Sequence, residues 1–530
     1  MAPANRNPRV LVCDELASEA NEIFRRHGCE LETRLGLDEA ALIHAVVGFD
    51  AVVVRSATRI TKAVIAAADR LRVIGRAGVG VDNIDCDAAT ARGVVVMNTP
   101  DGNTLSAAEL ALAHLFALAR NLPRADRAAR SGWKKKGLMG TELTGKTLGV
   151  IGLGRIGGAV AERAIGLKLR VLAYDPFLAQ ATESPVRGVE LATLEQLLAA
   201  SDFVTLHVPL NEHTRHLLSR ERLAALKPGA RVINAARGGL IDEAALIEAL
   251  DRGHVRGAAL DVLEEEPPSA TNPMLARDDV ILSPHLGASS DEAQRNVAID
   301  IAEQIVGFLV DGVAKNAVNA PTADAATLRR LAPYLKLAER AASFLAQRLD
   351  EPLARLELEL GGEFATFDPS HARLAVQVGA LRPSLGDAVN FVSAPRLARE
   401  RGLELLHAPE RGAERPALAL VAVGRSGRRH RVAGDVFAGT PKFTELDALR
   451  IDLEPEGALL VTRHADLPGV VGTVGTLFGR HAVNIRRIEL GPIGDGEALG
   501  LWSLYAVPSD AAVAELAALP ALRSVALVRF

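Results

Sequence analysis

TLGVIGLGRIGGAVAERAIGLKLRVLAYDP, residues 147–176, decides how the rest of the chain is read. An apolar strand pattern runs into Gly152, Gly154 and Gly157, an alanine-rich run of helical length follows, and a second β-branched run closes on Asp175. Each glycine has a physical reason: the first permits the tight turn, the second lets backbone approach a pyrophosphate, and the third lets helix pack on strand. Asp175 falls about 20 residues on, where a carboxylate accepts hydrogen bonds from an adenosine ribose. Its charge repels a 2′-phosphate, so NAD is expected over NADP. A lone GxGxxG is a weak signal; strand, helix and acid in register outweigh a bare Gly-rich turn.

Working outward, short β-branched runs alternate with helical segments on both sides. RVLVCD, DAVVVRS, LRVIGRAG and GVVVMNTP, between residues 9 and 100, predict one α/β domain. After a helical stretch over 105–120, TLGVIG, LRVLAYDP, DFVTLHVPL, ARVINAARG, VRGAALDV and DVILSPH predict a second parallel sheet. Residues 289–311 read as one long helix that the first domain recruits, and KNAVNAP marks a boundary. Past Pro321, LRRLAPYLKLAERAASFLAQRL is helical, while LARLELELGG and RLAVQVGAL read as strands or alternating segments. After Pro455 the order strand, helix, strand, strand, helix, strand is ferredoxin-like. The expected domains are 1–100 with 290–320, 101–289, 321–452 and 453–530.

Bulk properties narrow the function classes. At 530 residues, roughly three or four domains are expected. A net charge of -4 gives no basic field for nucleic acid or an acidic membrane. Cys13, Cys29 and Cys86 offer neither a disulfide framework nor a metal-ligand spacing, so no metal is expected. MAPANRNPRV lacks an apolar signal region, and the longest apolar stretch is broken by Glu109 and His114, so a cytoplasmic protein is expected.

The chemistry-bearing residues stand at the C-terminal ends of later strands of the second sheet, the edge where open α/β sheets bind ligands. They are Arg237 in NAARGGLID, Asp261 and Glu266 in ALDVLEEEP, and His285 in LSPHLGAS. Arginine offers a planar fork for a carboxylate, and histidine is the side chain most readily poised as a base near neutral pH. A carboxylate such as Glu266 beside that histidine fixes its tautomer. Singly, each is a solvated or turn residue; their recurrence behind a dinucleotide fingerprint reverses that reading.

The blocks GLGRIG, NAARGG, ALDVLEEEP and PHLGAS resemble those of the D-isomer-specific 2-hydroxy-acid dehydrogenases. The resemblance implies a Rossmann-type NAD domain with a flavodoxin-like discontinuous substrate domain. It implies catalytic roles for Arg237, Glu266 and His285, and a cofactor lining of Gly152, Gly154, Arg155, Ile156, Gly157, Asp175, His207, Ala235, Asp261, His285, Gly287 and Ala288. VVRSATRIT and VIGRAGVGVDNID are similar to members that oxidise 3-phospho-D-glycerate to 3-phosphohydroxypyruvate, in the phosphorylated route to L-serine. Substrate contacts are then expected from Arg55, Arg76, Asn103, Arg237 and the backbone of Ala77, Gly78 and Val79. Lys134, Lys135 and Lys136 read as a solvated run, or as charge near a phosphate. GALLVTRHADLPGVVGTVGTLFGRHAVNIRRIELG resembles an ACT domain, which implies a serine effector at His464, Asp466 and Asn484, and VFAGTPKFTELDALRIDLEPEG resembles the end of an intervening α/β domain. Arg425, Arg428, Arg429, His430 and Arg431 read as a solvated basic loop, or as a seat for an anionic effector. The family also implies a homo-oligomer, expected as a tetramer. A reductase of glyoxylate, hydroxypyruvate or another unphosphorylated 2-keto acid, and a non-catalytic NAD-sensing scaffold, remain the alternatives.

Overall fold

The computed structural model describes residues 6–530 except 179–180, 182, 408–415 and 448. Its second α/β unit is a seven-stranded parallel sheet ordered Val280–Leu282, Val255–Leu260, Ala230–Asn234, Phe203–Leu206, Thr147–Ile151, Arg170–Tyr174 and Val189–Leu191. The chain starts in the middle, at Thr147–Ile151, and builds to one side and then the other. The strand order therefore reverses beside Phe203–Leu206, the crevice where this fold takes a dinucleotide. The three-residue edge strand Val189–Leu191 has no sequence signal beyond one β-branched residue, and the sequence reading lacks it.

The first unit is a five-stranded parallel sheet ordered Glu30–Thr33, Arg9–Val12, Ala51–Val54, Val73–Arg76 and Val95–Met97, a flavodoxin-like order. Its edge strand Glu30–Thr33 alternates charge with apolar residues and also escaped the sequence reading. Helix Asp291–Asp311, capped by Ser290, returns to this sheet and buries Val297, Ile301 and Ile305 against Val10, Val53 and Met97.

The third unit carries a six-stranded sheet under helices Ala325–Arg348 and Pro369–Leu385. RLAVQVGAL lies inside the second helix rather than in a strand. Asp368 accepts from the Ser370 N–H and Pro369 supplies the first turn, which start a helix whose sides are nearly all buried. An all-round apolar pattern does not separate a buried helix from a strand. Of the basic run, Arg425 and Arg428 lie in an exposed turn, whereas Arg429, His430 and Arg431 open strand Arg429–Phe437. Arg428 pairs with Asp350, Arg429 with Glu357, Arg431 with Glu445 and His430 with Asp447.

The last unit is an antiparallel sheet ordered Ile485–Gly494, Glu497–Leu504, Ala458–Ala465 and Leu522–Arg529, with helices Val470–Arg480 and Asp510–Ala517 on one face. The other face, through Leu459, Val461, Leu499, Leu501 and Val528, joins the core of the third unit. Gln347 fastens that junction by hydrogen bonds with both the N–H and the carbonyl of Arg529.

Candidate active site

The glycine turn is tightly packed at two of its three positions. Gly152 adopts φ +91°, and a Cβ there would stand 2.6 Å from the His207 carbonyl oxygen. A Cβ on Gly157 would stand 1.9 Å from the Gly152 oxygen, which is how closely helix Arg155–Gly166 packs on its strand. At Gly154, the residue before that helix, nothing lies within 4 Å of a Cβ, leaving open space at the helix N-terminus. The cradle thus fits a dinucleotide pyrophosphate. Asp175 receives the Leu153 N–H on one carboxylate oxygen (2.9 Å) and the Phe177 N–H on the other (3.0 Å). A carboxylate has about four acceptor positions, so this anchoring leaves capacity for a ribose.

Arg155 turns away from the turn to pair with Asp101 at 2.6 Å, and Ile156 packs on the sheet core. His207 bonds Thr205 Oγ1 through Nε2 at 2.9 Å, while its buried Nδ1 has no partner. Burial pushes its pKa down to about 4, so the ring is neutral at pH 7. Ala235 places its carbonyl oxygen 3.9 Å from a Cβ on Gly287, and the Ala288 carbonyl accepts from Gln294.

The catalytic candidates converge. His285, at φ +54°, has Nδ1 2.7 Å from Glu266 Oε2, and Glu266 Oε1 accepts the Leu263 N–H at 3.1 Å. Burial raises the Glu266 pKa, but the His285 hydrogen bond, with Arg237 nearby, outweighs it and the net shift is downward. With Nδ1 engaged, Nε2 is the nitrogen left for a substrate.

Arg237 reaches across to the first unit, where its Nε lies 3.3 Å from Asp82, and a Cβ on Gly80 would strike its guanidinium. Arg76 leans into the same place. Its buried Nε has no hydrogen-bond partner, and its pKa is pushed down to about 10, by burial first and then by the like charges of Arg237 and Arg55. Arg76 and Arg237 thus meet from two domains, while the Arg55 guanidinium donates to the Glu15 carbonyl at 3.1 Å. Asn103, which precedes helix Thr104–Arg120, has its side-chain oxygen buried and unpartnered. The Ala77 N–H, by contrast, is spent on the Val54 carbonyl at 2.9 Å, leaving Gly78 and Val79 as the backbone donors to consider. The sequence reading missed Asp82. It stands inside the quoted VIGRAGVGVDNID, but only the fold brings it to Arg237.

The effector candidates do not come together. His464 is buried at the end of its strand with Asp466 beside it, whereas Asn484 precedes strand Ile485–Gly494 at the far end of the sheet. Register fixes this: Ile485 pairs with Leu504, Leu504 with Ala458, and His464 lies six residues further along, about 20 Å away. Gly469 precedes helix Val470–Arg480, whose start has no side-chain cap.

A pyrophosphate cradle at a sheet's switch point, facing a histidine–carboxylate pair and an arginine, defines an NAD-linked oxidoreductase of the D-2-hydroxy-acid dehydrogenase class. Family models agree: the D-isomer specific 2-hydroxyacid dehydrogenase NAD binding domain matches residues 112–287, the D-3-phosphoglycerate dehydrogenase intervening domain 330–447 and the ACT domain 458–524. The D-3-phosphoglycerate dehydrogenase of Archaeoglobus fulgidus is 42% identical over 489 residues, covering 92% of this chain and 93% of that protein. That of Bacillus subtilis is 37% identical over 98% of this chain and 99% of its own. Over its length this chain belongs to the D-3-phosphoglycerate dehydrogenase family. Among solved structures, a protein of Thermus thermophilus aligns with 58% of the chain and 99% of its own length, at TM-score 0.54 and 38% identity. An NAD+-bound 3-phosphoglycerate dehydrogenase of Entamoeba histolytica aligns with 59% of the chain and 99% of its own, at TM-score 0.51 and 28% identity.

Proposed function

We infer that the chain oxidises 3-phospho-D-glycerate to 3-phosphohydroxypyruvate, the first step of the phosphorylated route to L-serine. The observation that carries the substrate is the guanidinium pair. Arg76, half-buried with a partnerless Nε, lies near Arg237, which Asp82 pairs, and a substrate with both a carboxylate and a phosphate offers each of these cations an anion.

His285 Nε2 takes the C2 hydroxyl proton while Glu266 holds the ring by Nδ1 and gives the imidazolium a counter-ion. Arg237 exchanges Asp82 for the substrate carboxylate and holds it as C2 becomes planar. Arg55, Arg76, Asn103 and the Gly78–Val79 backbone hold the rest of the substrate. NAD, when bound, accepts the C2 hydride. Gly152 and Gly157 let the turn and helix close up, Gly154 leaves room for it, Asp175 selects it over NADP, and Arg155, Ile156, His207, Ala235, Asp261, Gly287 and Ala288 line the remainder.

The substrate domain comprises 1–100 with 290–320, the NAD domain 101–289, and the intervening and ACT domains 321–452 and 453–530. The enzyme works as a homotetramer in the cytoplasm; no described helix is long and apolar enough to cross a membrane. Serine is the effector, seated between ACT domains of two chains, because one chain holds Asn484 too far from His464 and Asp466. NADH formation with 3-phosphoglycerate, glycerate and D-lactate, with the keto product trapped, tests the substrate. A strong preference for the phosphorylated acid is expected, and equal turnover of the three defeats the guanidinium argument while keeping the dehydrogenase.

A further inference from the structure

We propose that His114 is a positioning residue for the reaction, holding through Ser283 and Asp261 the backbone that presents His285. The inference deepens the reading of His285 as the base and rests on it.

His114 lies on helix Thr104–Arg120, buried among Ala111, Leu115 and Leu118. Packing alone has no use for an imidazole there, and its Nδ1 is buried without a partner, which costs stability. Its Nε2 is 3.1 Å from Ser283 Oγ, and Ser283 Oγ is 2.6 Å from Asp261 Oδ1. Asp261 is itself buried. Its carboxylate accepts the Leu286 N–H at 2.8 Å and the Gly287 N–H at 2.9 Å, and its carbonyl accepts the His285 N–H at 2.9 Å. The loop that carries His285 in the left-handed region thus hangs from Asp261 on both sides.

The protons can be placed. A hydroxyl has one hydrogen, and at 2.6 Å from a buried carboxylate Ser283 gives it to Asp261. His114 must then donate from Nε2, and its buried Nδ1, with no acceptor to receive a proton, is left bare in the neutral ring. Burial, which holds the His114 pKa below the usual value, agrees with that state. Without this donor the Ser283 hydroxyl keeps one of its two bonds, and the support of the His285 loop loosens.

The test measures kcat and KM for both substrates in the full-length enzyme, with active sites counted by NADH binding, for His114→Leu, His114→Gln and His285→Ala. His114→Leu is expected to lower kcat about three- to tenfold, the usual worth of one neutral hydrogen bond, with either KM within about twofold. His114→Gln, whose amide nitrogen reaches the Nε2 position, is expected to restore most of that loss. Should the leucine variant not fold, Ser283→Ala cuts the same chain one link later and must show the same drop. Unchanged kcat in His114→Leu beside an inactive His285→Ala overturns the proposal alone, as does a loss that glutamine does not repair. Full turnover in His285→Ala overturns the base assignment, and the proposal with it.

Discussion

The NAD domain and the ACT domain each open a helix on glycine after a strand, and they differ in how much of a ligand site one chain completes. At Gly154 the helix N-terminus, the close-packed Gly157, the anchored Asp175 and the His285–Glu266 pair all come from one sheet edge of one chain. At Gly469 the helix start lies near Asp466, but Asn484 is a sheet-length away. The first site is a product of folding. The second, as proposed, is a product of association, so oligomerisation decides whether the effector has a site at all.

That contrast breaks first at the base. His285→Ala is expected to leave NADH binding nearly intact and to lower kcat by about two to four orders of magnitude, the usual worth of a positioned general base. Steady-state turnover beside NADH fluorescence titration reads both; a loss of NADH binding of similar size would mean that the histidine builds the cradle rather than the chemistry. Next come the glycines, where two similar substitutions should behave differently. Gly157→Ala drives a methyl into the Gly152 carbonyl and is expected to cost about 1 to 3 kcal/mol of stability along with NAD binding. Gly154→Ala meets no protein atom, so Tm should hold while NAD affinity falls roughly tenfold, about 1.4 kcal/mol. Equal Tm values for the two variants would refute the close-packing account of Gly157.

Much of this was legible in the sequence. Gly152, Gly154, Gly157 and Asp175 could be nominated before any coordinates because the strand–turn–helix they sit in is local. Arg237, Glu266 and His285 could be nominated because strand ends of one sheet share an edge. The sequence could not supply distances between segments. The resemblance grouped Asn484 with His464 and Asp466, whereas antiparallel register carries Asn484 to the other end of the sheet. The sequence reading took Arg429, His430 and Arg431 for part of a loop with Arg425 and Arg428, because the acids that face them, Glu357, Asp447 and Glu445, come from other segments. It read His114 only as a polar break in an apolar stretch, since its partner Ser283 is remote in sequence.

The association half of the comparison is sharpened by complementation. Asp466→Ala and Asn484→Ala should each abolish the serine response and leave serine-free turnover within about twofold, the spread expected of exposed positions with no part in the chemistry. Mixed oligomers of the two variants pair one doubly damaged site with one intact site, so partial serine inhibition should return. No recovery in mixed oligomers confirmed by mass would place the effector within a single chain.

The smallest expected effect is a pH dependence of stability at His207. Its folded pKa of about 4 lies below the unfolded value of about 6.5, so between these values the unfolded chain binds the extra proton. The stability associated with the neutral ring is therefore complete above about pH 6.5 and is lost as the pH falls toward about 4. His207→Gln keeps a hydrogen-bonding group beside Thr205 and removes the titration, so its Tm should fall less than that of the parent between pH 7 and pH 5. Parallel Tm curves would mean that His207 titrates alike in both states, and that its partly buried ring keeps enough contact with water to hold its ordinary pKa.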